Sequence, residues 1–306
     1  MTWTPADIRG QQGRSVLITG ANSGIGFEAA QALAAHGAGV TLAVRDEGRG
    51  AAAARAIEAA VPGARIEVAR LDLADLASVH DLAAVWTAAH PEGLDVLVNN
   101  GGVMAIPRRE SKDGYELQLA TNHLGHFALT GLLLGSMRPG GRVVTVSSNV
   151  HRMGRIDFDD LQSRRGYQKW RAYSQSKLAN ILFALELHRR AESAGADLRS
   201  IAVHPGWAAT NLQQAGPRMS GSRVGVAWMA VLNRVVAQSA EAGAWPTLMA
   251  ATAPGAASGT YIGPTGWRGQ RGTPGLETPS QAARDVDSAR RLWEASTALT
   301  GVSYPW

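Results

Sequence analysis

The stretch Ser15-Val-Leu-Ile-Thr19-Gly20-Ala-Asn-Ser-Gly24-Ile-Gly26 determines the fold that we expect for this chain. Its aliphatic first half predicts a buried strand, and the glycines after it predict a tight turn that opens a helix. Glycines let the backbone approach a ligand closely, and the free N–H groups and dipole of a helix N-terminus favour negative charge. The stretch therefore predicts a pyrophosphate-binding turn. Its Gly-x3-Gly-x-Gly spacing differs from Gly-x-Gly-x-x-Gly, and the alternative is that the glycines are ordinary turn residues.

Short β-branched runs alternate with longer Ala- and Leu-rich segments of helical period along residues 14–206. This alternation is typical of β-α units in a parallel sheet. We expect a single-domain α/β Rossmann fold over residues 14–306, after an N-terminal extension of residues 1–13, with a seven-stranded, mostly parallel sheet and helices on both faces. The predicted strands are Ser15–Thr19, Gly39–Val44, Arg65–Arg70, Val96–Asn99, Arg142–Ser147, Arg199–His204 and Thr260–Gly263. The predicted helices are Gly24–Ala35, Glu47–Ala60, Leu76–Ala89, Tyr115–Leu134 and Trp170–Ala191.

Residues 207–240 lack strand signals and carry Gly, Pro and Ser. We interpret them as an insertion that forms a lid over the substrate. Six of the nine tryptophans lie at or after residue 207. Some of them could line an apolar substrate pocket, whereas most tryptophans in proteins pack in cores.

Composition excludes several functional classes. The chain has 306 residues, of which 45% are hydrophobic, and can bury a large globular core. It contains no cysteine, which excludes disulfides, zinc-thiolate sites and cysteine nucleophiles. The net charge of +5 comes from scattered arginines without basic runs interleaved with aromatics, so we expect no nucleic-acid partner. We find neither a secretory signal nor a membrane span in the sequence, and we expect a cytoplasmic protein.

The second predicted strand ends at Val44-Arg45-Asp46, where dinucleotide-binding folds recognise the adenosine ribose. An acidic side chain there binds the ribose hydroxyls of NAD, whereas a basic one accepts the 2′-phosphate of NADP. Val44 cannot hydrogen-bond to ribose, but Arg45 can form charge-assisted bonds to a phosphate. We therefore predict NADP(H) as the cofactor. NAD(H) stays possible if Asp46 binds the ribose or pairs with Arg45.

Two further polar motifs follow predicted strands. Asp72-Leu73 comes after the third strand, and Asn99-Asn100-Gly101-Gly102 comes after the fourth. The carboxyl ends of strands are where open α/β sheets bind ligands. Each motif alone is weak evidence, because an Asp after a strand is more often a helix cap and Asn-Asn-Gly-Gly is often a plain turn.

Tyr173-Ser-Gln-Ser-Lys177 is the strongest candidate for catalytic chemistry. The chain has three lysines, 27 arginines and five tyrosines, so a Tyr-x-x-x-Lys is rarely expected by chance. Positions i and i+4 share one face of a helix, and a nearby cation stabilises phenolate and lowers the phenol pKa. We predict that Tyr173 is a general acid/base with a lowered pKa. The alternative is an incidental pair on a solvated helix face.

The order of these motifs resembles the short-chain dehydrogenase/reductase family over residues 14–306. Residues 115–127 and 174–183 are similar to its retinol dehydrogenase and WW-domain oxidoreductase branch. The resemblance implies NADP(H), a lipophilic small-molecule carbonyl or alcohol substrate, and a homodimer or homotetramer. Gly101 stands where the family usually has alanine. From the turn, the strand ends and the resemblance together, the predicted cofactor-binding residues are Gly20, Asn22, Ser23, Gly24, Ile25, Gly26, Arg45, Asp72, Leu73, Asn99, Gly101, Gly102, Tyr173, Lys177, Pro205, Gly206 and Thr210.

The resemblance also implies a catalytic set. Ser148 would hydrogen-bond to the substrate oxygen, and the family pattern favours it over the adjacent Ser147. Lys177 would hold the nicotinamide ribose, and Asn122 would keep a water in line with Lys177. Alternatively, Asn122 is a polar residue that bonds to main chain and bends its helix. The predicted catalytic residues are Asn122, Ser148, Tyr173 and Lys177.

A metal site, a redox sensor and an epimerase are the alternatives to this function. His123 and His126 are close along a helix but have no third convergent ligand in the sequence, so we expect no metal site. An NADP(H)-binding redox sensor without turnover is one alternative, although such a protein would be expected to lose Tyr173 or Lys177. An epimerase on the same fold is the other, and the chain shows no evident sugar-nucleotide domain.

Overall fold

One eight-stranded sheet organises the computed structural model, which describes residues 2–207, 238–266 and 269–306. Its strand order is β3-β2-β1-β4-β5-β6-β7-β8; all neighbours are parallel except β7 and β8. The strands are β1 (Ser15–Thr19), β2 (Gly39–Val44), β3 (Arg65–Arg70), β4 (Leu94–Asn99), β5 (Met137–Val146), β6 (Leu198–Val203), β7 (Tyr261–Gly266) and β8 (Arg271–Glu277). The predicted Rossmann sheet is confirmed, with eight strands where seven were predicted.

The additional strand, β8, lies at the edge of the sheet, antiparallel to β7. Its sequence, Arg271-Gly-Thr-Pro-Gly-Leu-Glu277, carries glycine and proline. Proline cannot donate a ladder hydrogen bond and is tolerated mainly on edge strands. Pro274 pairs with Pro264 on β7. A segment with this composition has no local strand signal, which is why the sequence did not predict it.

Helices cover both faces of the sheet, as predicted. Alternate residues of β1 enter different cores: Val16 and Ile18 pack with one cluster, and Leu17 packs with the other. This alternation is what a strand buried on both faces requires. The helices are α1 (Gly24–Ala35), α2 (Glu47–Ala60), α3 (Leu76–Ala89), the broken helix α4 (Leu117–Leu119, Ala120–Leu124 and Gly125–Leu133), α5 (Lys169–Ser193), α6 (Ala240–Thr252) and α7 (Val286–Thr300).

Four helices differ from the prediction, and α5 differs only at its ends, since it spans Lys169–Ser193 where Trp170–Ala191 was predicted. The expected continuous helix Tyr115–Leu134 is interrupted in α4 by one π-helical turn, Ala120–Leu124. Such π turns occur frequently at functional sites. The sequence did not predict α6, which contains Pro246 and packs against α1, or the amphipathic α7.

The sheet topology sets the position of the site. After β3 the chain crosses over and β4 joins the other side of β1, so the carboxyl ends of β1 and β4 flank a crevice. Ligands of open α/β sheets bind in such a crevice. In the described ranges no helix is both long enough and apolar enough to cross a membrane. Residues 208–237, which hold most of the expected lid, lie outside the described residues.

Candidate active site

A cavity of about 480 Å³ lies at the carboxyl ends of the strands, beside the crevice between β1 and β4. We call the part lined by Gly20, residues 22–26 and residues 100–102 the cofactor end. We call the part lined by Met104, Asn149, Val150, Met153, Trp170, residues 205–207 and Gln270 the substrate end. The predicted residues that line the cavity are Gly20, Asn22, Ser23, Gly24, Ile25, Gly26, Gly101, Gly102, Ser148, Tyr173, Lys177, Pro205 and Gly206. Thr210 lies outside the described residues.

The glycine turn leaves no room for side chains at the cofactor end. Gly20 and Gly24 have φ angles of +66° and +59°, in the left-handed region that favours glycine. A Cβ atom on Gly20 would lie 2.7 Å from the Cα of Gly101, and one on Gly26 would lie 2.5 Å from the Asn100 Nδ2. No side chain therefore covers the backbone of these glycines where α1 begins. These residues fit the pyrophosphate of a dinucleotide, which requires close backbone approach and free N–H groups.

Thr19 joins the glycine turn to the loop after β4. Its Oγ1 accepts hydrogen bonds from the backbone N–H groups of Asn100, at 2.9 Å, and Gly101, at 2.8 Å. Asn100 Nδ2 donates to the Thr19 carbonyl at 2.8 Å. Two loops that are far apart in sequence are thus fixed side by side. Asn100 lines the cavity, although the prediction singled out Asn99.

Asn99, Asp72 and Leu73 lie outside the cavity lining. Asn99 is fully buried, and its Nδ2 donates to Thr130 Oγ1 at 2.9 Å, because this last residue of β4 points into the core. Asp72 accepts a hydrogen bond from the Ala74 N–H at 3.0 Å, within the turn before α3. Leu73 packs behind Gly101: a Cβ atom at Gly101 would lie 2.8 Å from Leu73 Cδ1. This contact explains why glycine suits a position where the family usually has alanine.

Arg45 lies immediately after β2 and is exposed. Its side chain has no hydrogen bond or ion pair within the described part of the chain. The neighbouring Asp46 caps α2 by accepting from the Arg49 N–H at 3.0 Å, and it lies 3.6 Å from the Arg49 guanidinium. The expected alternative of an Arg45–Asp46 ion pair is therefore wrong, since Asp46 pairs with Arg49.

Tyr173 and Lys177 lie on the cavity face of α5, both buried. Lys177 Nζ lies 5.9 Å from the centre of the Tyr173 ring and donates to the Val146 carbonyl at 3.1 Å. Burial penalises charge, so it raises the pKa of Tyr173 to about 12 and lowers the pKa of Lys177 to about 8. A hydrogen bond with Ser148 lowers the Tyr173 pKa only in part. The predicted lowering of the phenol pKa is wrong for this structure, because burial outweighs the hydrogen bond with Ser148.

The two adjacent serines point to different sides, as the family pattern requires. Ser147 Oγ is buried and donates to the Lys177 carbonyl at 2.6 Å, so it anchors β5 to α5. Ser148 follows β5 and is the partner of the Tyr173 hydroxyl. Its side chain also accepts a longer bond from the Val150 N–H, at 3.4 Å. The structure therefore places Ser148 beside the phenol.

Asn122 lies in the π turn of α4, fully buried, one layer behind the cavity. Its Nδ2 donates to the Val103 carbonyl and to Ser176 Oγ, both at 2.9 Å. Its Oδ1 accepts from the Val103 N–H at 2.8 Å. The side chain is therefore occupied by main chain and by Ser176, as in the alternative role considered for Asn122. A Cβ atom at Gly102 would lie 2.9 Å from Asn122 Oδ1 and 3.7 Å from Lys177 Nζ.

The substrate end is lined mainly by large apolar side chains. Trp207 is one of the six tryptophans considered for an apolar pocket from the sequence, whereas Met153 and Trp170 were not predicted to line it. Met153, Trp170 and Trp207 keep 72%, 46% and 36% of their surfaces exposed, which is unusual for apolar residues. The Trp170 and Tyr173 rings form a T-shaped pair, with their planes at 72° and their centroids 6.2 Å apart. These residues come from distant segments and have no shared periodicity, so only the folded chain brings them together.

Comparisons with known proteins agree with this geometry. The family described as short chain dehydrogenase matches residues 14–220. The chain is 38% identical to human (Homo sapiens) retinol dehydrogenase 13, over 96% of this chain and 86% of that protein. It is 40% identical to mouse (Mus musculus) polyprenol dehydrogenase, over 97% of this chain and 87% of that protein.

Among solved structures, a short chain dehydrogenase from Burkholderia cenocepacia J2315 in complex with NADP is 25% identical, with a TM-score of 0.62. The match covers 82% of this chain and 96% of that one. The glycine turn, the buried Tyr173–Lys177 pair and Ser148 thus lie in a fold shared with a nicotinamide-binding protein. The chain belongs to the short-chain dehydrogenase/reductase family and is a retinol dehydrogenase-like oxidoreductase that acts on alcohol or carbonyl groups.

Proposed function

We propose that the chain is an NADP(H)-dependent enzyme that interconverts an apolar alcohol with its aldehyde or ketone, with Tyr173 as general acid/base. The observation that carries this proposal is the position of three polar side chains on the cavity wall. Tyr173, Ser148 and Lys177 line the same cavity as the glycine turn and the apolar substrate end. A carbonyl group at that wall would have hydroxyl donors next to it and apolar surface for the rest of the molecule.

The residues of this wall divide the chemistry among them. A bound nicotinamide supplies or accepts the hydride at the substrate carbon. During reduction, the Tyr173 hydroxyl gives its proton to the carbonyl oxygen. Ser148 donates a hydrogen bond to the same oxygen as negative charge develops there. The Lys177 ammonium places a positive charge near the resulting phenolate and would bind the ribose hydroxyls of the cofactor.

The pKa of Tyr173 bears on how the rates of reduction and oxidation depend on pH. At about 12, it leaves the phenol protonated at neutral pH, which is the form that donates a proton to a carbonyl. Alcohol oxidation requires the phenolate, whose fraction increases with pH. We therefore expect carbonyl reduction to be favoured near neutral pH and alcohol oxidation to accelerate as the pH is raised.

Arg45 supports a preference for NADP(H). Arg45 is exposed and directly follows β2, the strand that neighbours β1 in the sheet. Asp46, the residue that would favour NAD(H), is already engaged by the α2 N-terminus and by Arg49. A free cation at this position would attract a 2′-phosphate, and no free carboxylate competes for the ribose hydroxyls.

The substrate end supports an apolar substrate. Its lining includes Met104, Val150 and Met153, together with two tryptophans. Large apolar side chains left exposed in a concave site indicate a ligand that covers them. Two relatives are named for retinol and polyprenol, both long isoprenoid alcohols. We propose a long-chain isoprenoid-like aldehyde or alcohol as the substrate class.

The test is NADPH oxidation, followed at the nicotinamide absorbance, with retinal and farnesal as long apolar probes and propanal as a short one. We expect the kcat/KM for the long aldehydes to exceed that for propanal by about tenfold or more, because each buried methylene adds binding free energy. The matched variant is Tyr173→Phe, which removes only the phenolic oxygen. It should bind NADPH normally and lose turnover by about 100-fold or more.

Two results would contradict the proposal. Comparable kcat/KM values for propanal and farnesal would reject the apolar substrate class. Normal turnover by Tyr173→Phe would reject Tyr173 as the proton donor, even if NADPH binding were confirmed.

A further inference from the structure

His126 is a buried histidine in α4 that does not line the cavity. It bonds to Thr19, before the glycine turn, and to Asn122, in the π turn behind the catalytic helix. It is 1% exposed and lies in the last part of the broken helix, Gly125–Leu133. Its Nδ1 lies 3.0 Å from the carbonyl oxygen of Asn122, in the π turn. Its Nε2 lies 2.8 Å from Thr19 Oγ1, at the start of the glycine turn.

These partners leave only one hydrogen arrangement. A carbonyl oxygen can only accept, so His126 Nδ1 carries the hydrogen that bonds to Asn122. Burial lowers the pKa of His126 to about 4, so the ring is neutral and its Nε2 is an acceptor. The Thr19 hydroxyl therefore donates to His126 Nε2, at 2.8 Å, in preference to the more distant Val98 carbonyl, at 3.4 Å. Its oxygen then accepts the N–H groups of Asn100 and Gly101.

Each end of this contact continues into a different part of the site. The Thr19 end reaches Gly101, in the loop that lines the cofactor end. The Asn122 end reaches Ser176 at 2.9 Å, and Ser176 Oγ donates to the Tyr173 carbonyl at 2.8 Å. A single ring thus stands between the backbone that would hold the cofactor and the helix that carries the catalytic pair.

We propose that His126 is a positioning residue that fixes the spacing between the cofactor end and the catalytic helix by bonding Thr19 and the Asn122 carbonyl at once. Loss of the bond to His126 leaves the Thr19 hydroxyl with the longer bond to the Val98 carbonyl, at 3.4 Å, so its oxygen is held less firmly beside the N–H groups of the loop. Loss of the Asn122 bond frees the π turn that holds Ser176 and, through it, the backbone of Tyr173. The first loss should weaken cofactor binding, and the second should slow turnover.

Two half-replacements separate these effects. His126→Asn keeps a donor near the Nδ1 position and loses the bond to Thr19. It should raise the Kd for NADPH about tenfold and change kcat at saturating NADPH less than about twofold. His126→Gln keeps an acceptor near the Nε2 position and loses the bond to Asn122. It should lower kcat about tenfold and change the Kd for NADPH less than about threefold.

His123→Asn is the matched control. His123 is also a buried α4 histidine, but its Nε2 contacts Ser296 of α7 at 2.8 Å, away from the glycine turn. This variant should lower the melting temperature and leave both Kd and kcat within about twofold of the wild type, because the bond that it loses at Nε2 leads to α7 and not to the glycine turn. If a His126 variant fails to fold, Thr19→Val removes the same contact from the other side, and Thr19→Ser, which keeps the hydroxyl, should restore NADPH binding.

The inference rests on the proposed NADP(H)-dependent function, and the measurements distinguish failures of the two. The Kd is measured from nicotinamide fluorescence without substrate. Failure of the wild type to bind NADPH would overturn the proposed function and this inference with it. Normal binding and turnover by the wild type, with both His126 variants changed no more than His123→Asn, would overturn only the role of His126. Identical losses of affinity and rate in the two His126 variants would also overturn it, since they would show general damage.

Discussion

The two ends of the cavity are built in opposite ways. At the cofactor end, the glycine turn and the loop after β4 are fixed by short hydrogen bonds to Thr19 and Asn100. At the substrate end, the cavity is lined largely by apolar side chains. Met153 keeps 72% and Trp170 46% of its surface exposed there. The hydrogen bonds that join the lining segments at this end include those from Asn149 Nδ2 to the Gly269 carbonyl, at 2.9 Å, and from the Trp207 N–H to the Gln270 carbonyl, at 3.1 Å.

This difference separates the part of the enzyme that sets the chemistry from the part that sets specificity. Hydrogen bonds between buried groups have defined lengths and angles, so they hold catalytic and cofactor-binding atoms in one geometry. Apolar contacts are not directional and tolerate ligands of different shape. Changes at the cofactor end should therefore affect every substrate, whereas changes at the substrate end should affect substrates selectively.

The largest effect should come from Lys177→Arg. Arginine keeps the positive charge, but Lys177 is buried, and its Nζ lies within 3.7 Å of the position that a Cβ atom on Gly102 would take. The larger guanidinium would overpack this space and displace the backbone of the cofactor end. We expect kcat to fall about 100-fold or more for long and short aldehydes alike. Lys169→Arg, at the exposed start of α5, is the control and should be near normal.

A near-normal rate for Lys177→Arg, measured as NADPH oxidation at saturating substrate, would contradict this expectation. It would show that positive charge alone suffices and that the cofactor end is less rigid than its contacts indicate. Fixed hydrogen-bonded geometry would then not be what distinguishes the cofactor end from the substrate end.

The two buried histidines of α4 should also make the fold sensitive to acid. Burial lowers the pKa of His126 to about 4 and of His123 to about 3, from an ordinary value of 6.5. The unfolded chain therefore takes up these protons near pH 6.5, and the folded protein does so only near pH 4 and pH 3. Their contribution to stability is present above pH 6.5 and is lost as the pH falls through this window.

The test of this acid sensitivity is His123→Phe, which keeps an aromatic ring but cannot titrate. Between pH 8 and pH 5, the wild type should lose about 2 kcal/mol more unfolding free energy than the variant, at about 1.4 kcal/mol per pH unit below pH 6.5. Urea unfolding at the two pH values measures the difference, and the pH 8 pair serves as the internal reference. Equal losses in both proteins would show that His123 takes up its proton over the same pH range in the folded protein as in the unfolded chain.

Sequence predicted the cofactor end far better than the substrate end, and the reason is physical. The turn Gly20–Gly26 needs glycine because side chains would collide with neighbouring backbone, so its residue types reveal it locally. The first three strands and first three helices were predicted with the bounds that the structure has. By contrast, β5 begins at Met137 and not at the predicted Arg142, because Pro139 and two glycines disguise its start as a turn.

Tertiary environment determined what local patterns could not. Trp170, Trp207 and Gln270 come together only when the sheet forms, so no spacing in the sequence connects them. The pKa of Tyr173 was predicted in the wrong direction, because the i, i+4 cation was visible in the sequence and the extent of burial was not. The histidine pair was considered only for metal binding, since the partners of His126 lie in distant segments.

A smaller, cofactor-selective effect should follow from Arg45→Gln. The variant removes the exposed cation after β2 and keeps a side chain of similar length. We expect the KM for NADPH to rise about tenfold and the KM for NADH to change little, because only NADPH carries the 2′-phosphate. Arg49→Gln is the control, since this nearby arginine is also exposed but pairs with Asp46. Equal changes in the two KM values would reject Arg45 as the 2′-phosphate ligand.

The smallest effect, and the most selective for substrate, should come from Trp170→Ala. This side chain lines the substrate end, forms a T-shaped ring pair with Tyr173 and keeps nearly half of its surface exposed. Its removal takes away apolar contact from the part of a long aldehyde beyond the carbonyl, so the KM for farnesal should rise about fivefold. The KM values for propanal and NADPH should stay within about twofold, because neither ligand depends on that contact.

Val85→Ala, another exposed apolar truncation but on α3 outside the cavity, should change none of these constants. A uniform loss of activity on both aldehydes would mean that Trp170 acts by supporting Tyr173, and the separation of chemistry from specificity would not hold at this position.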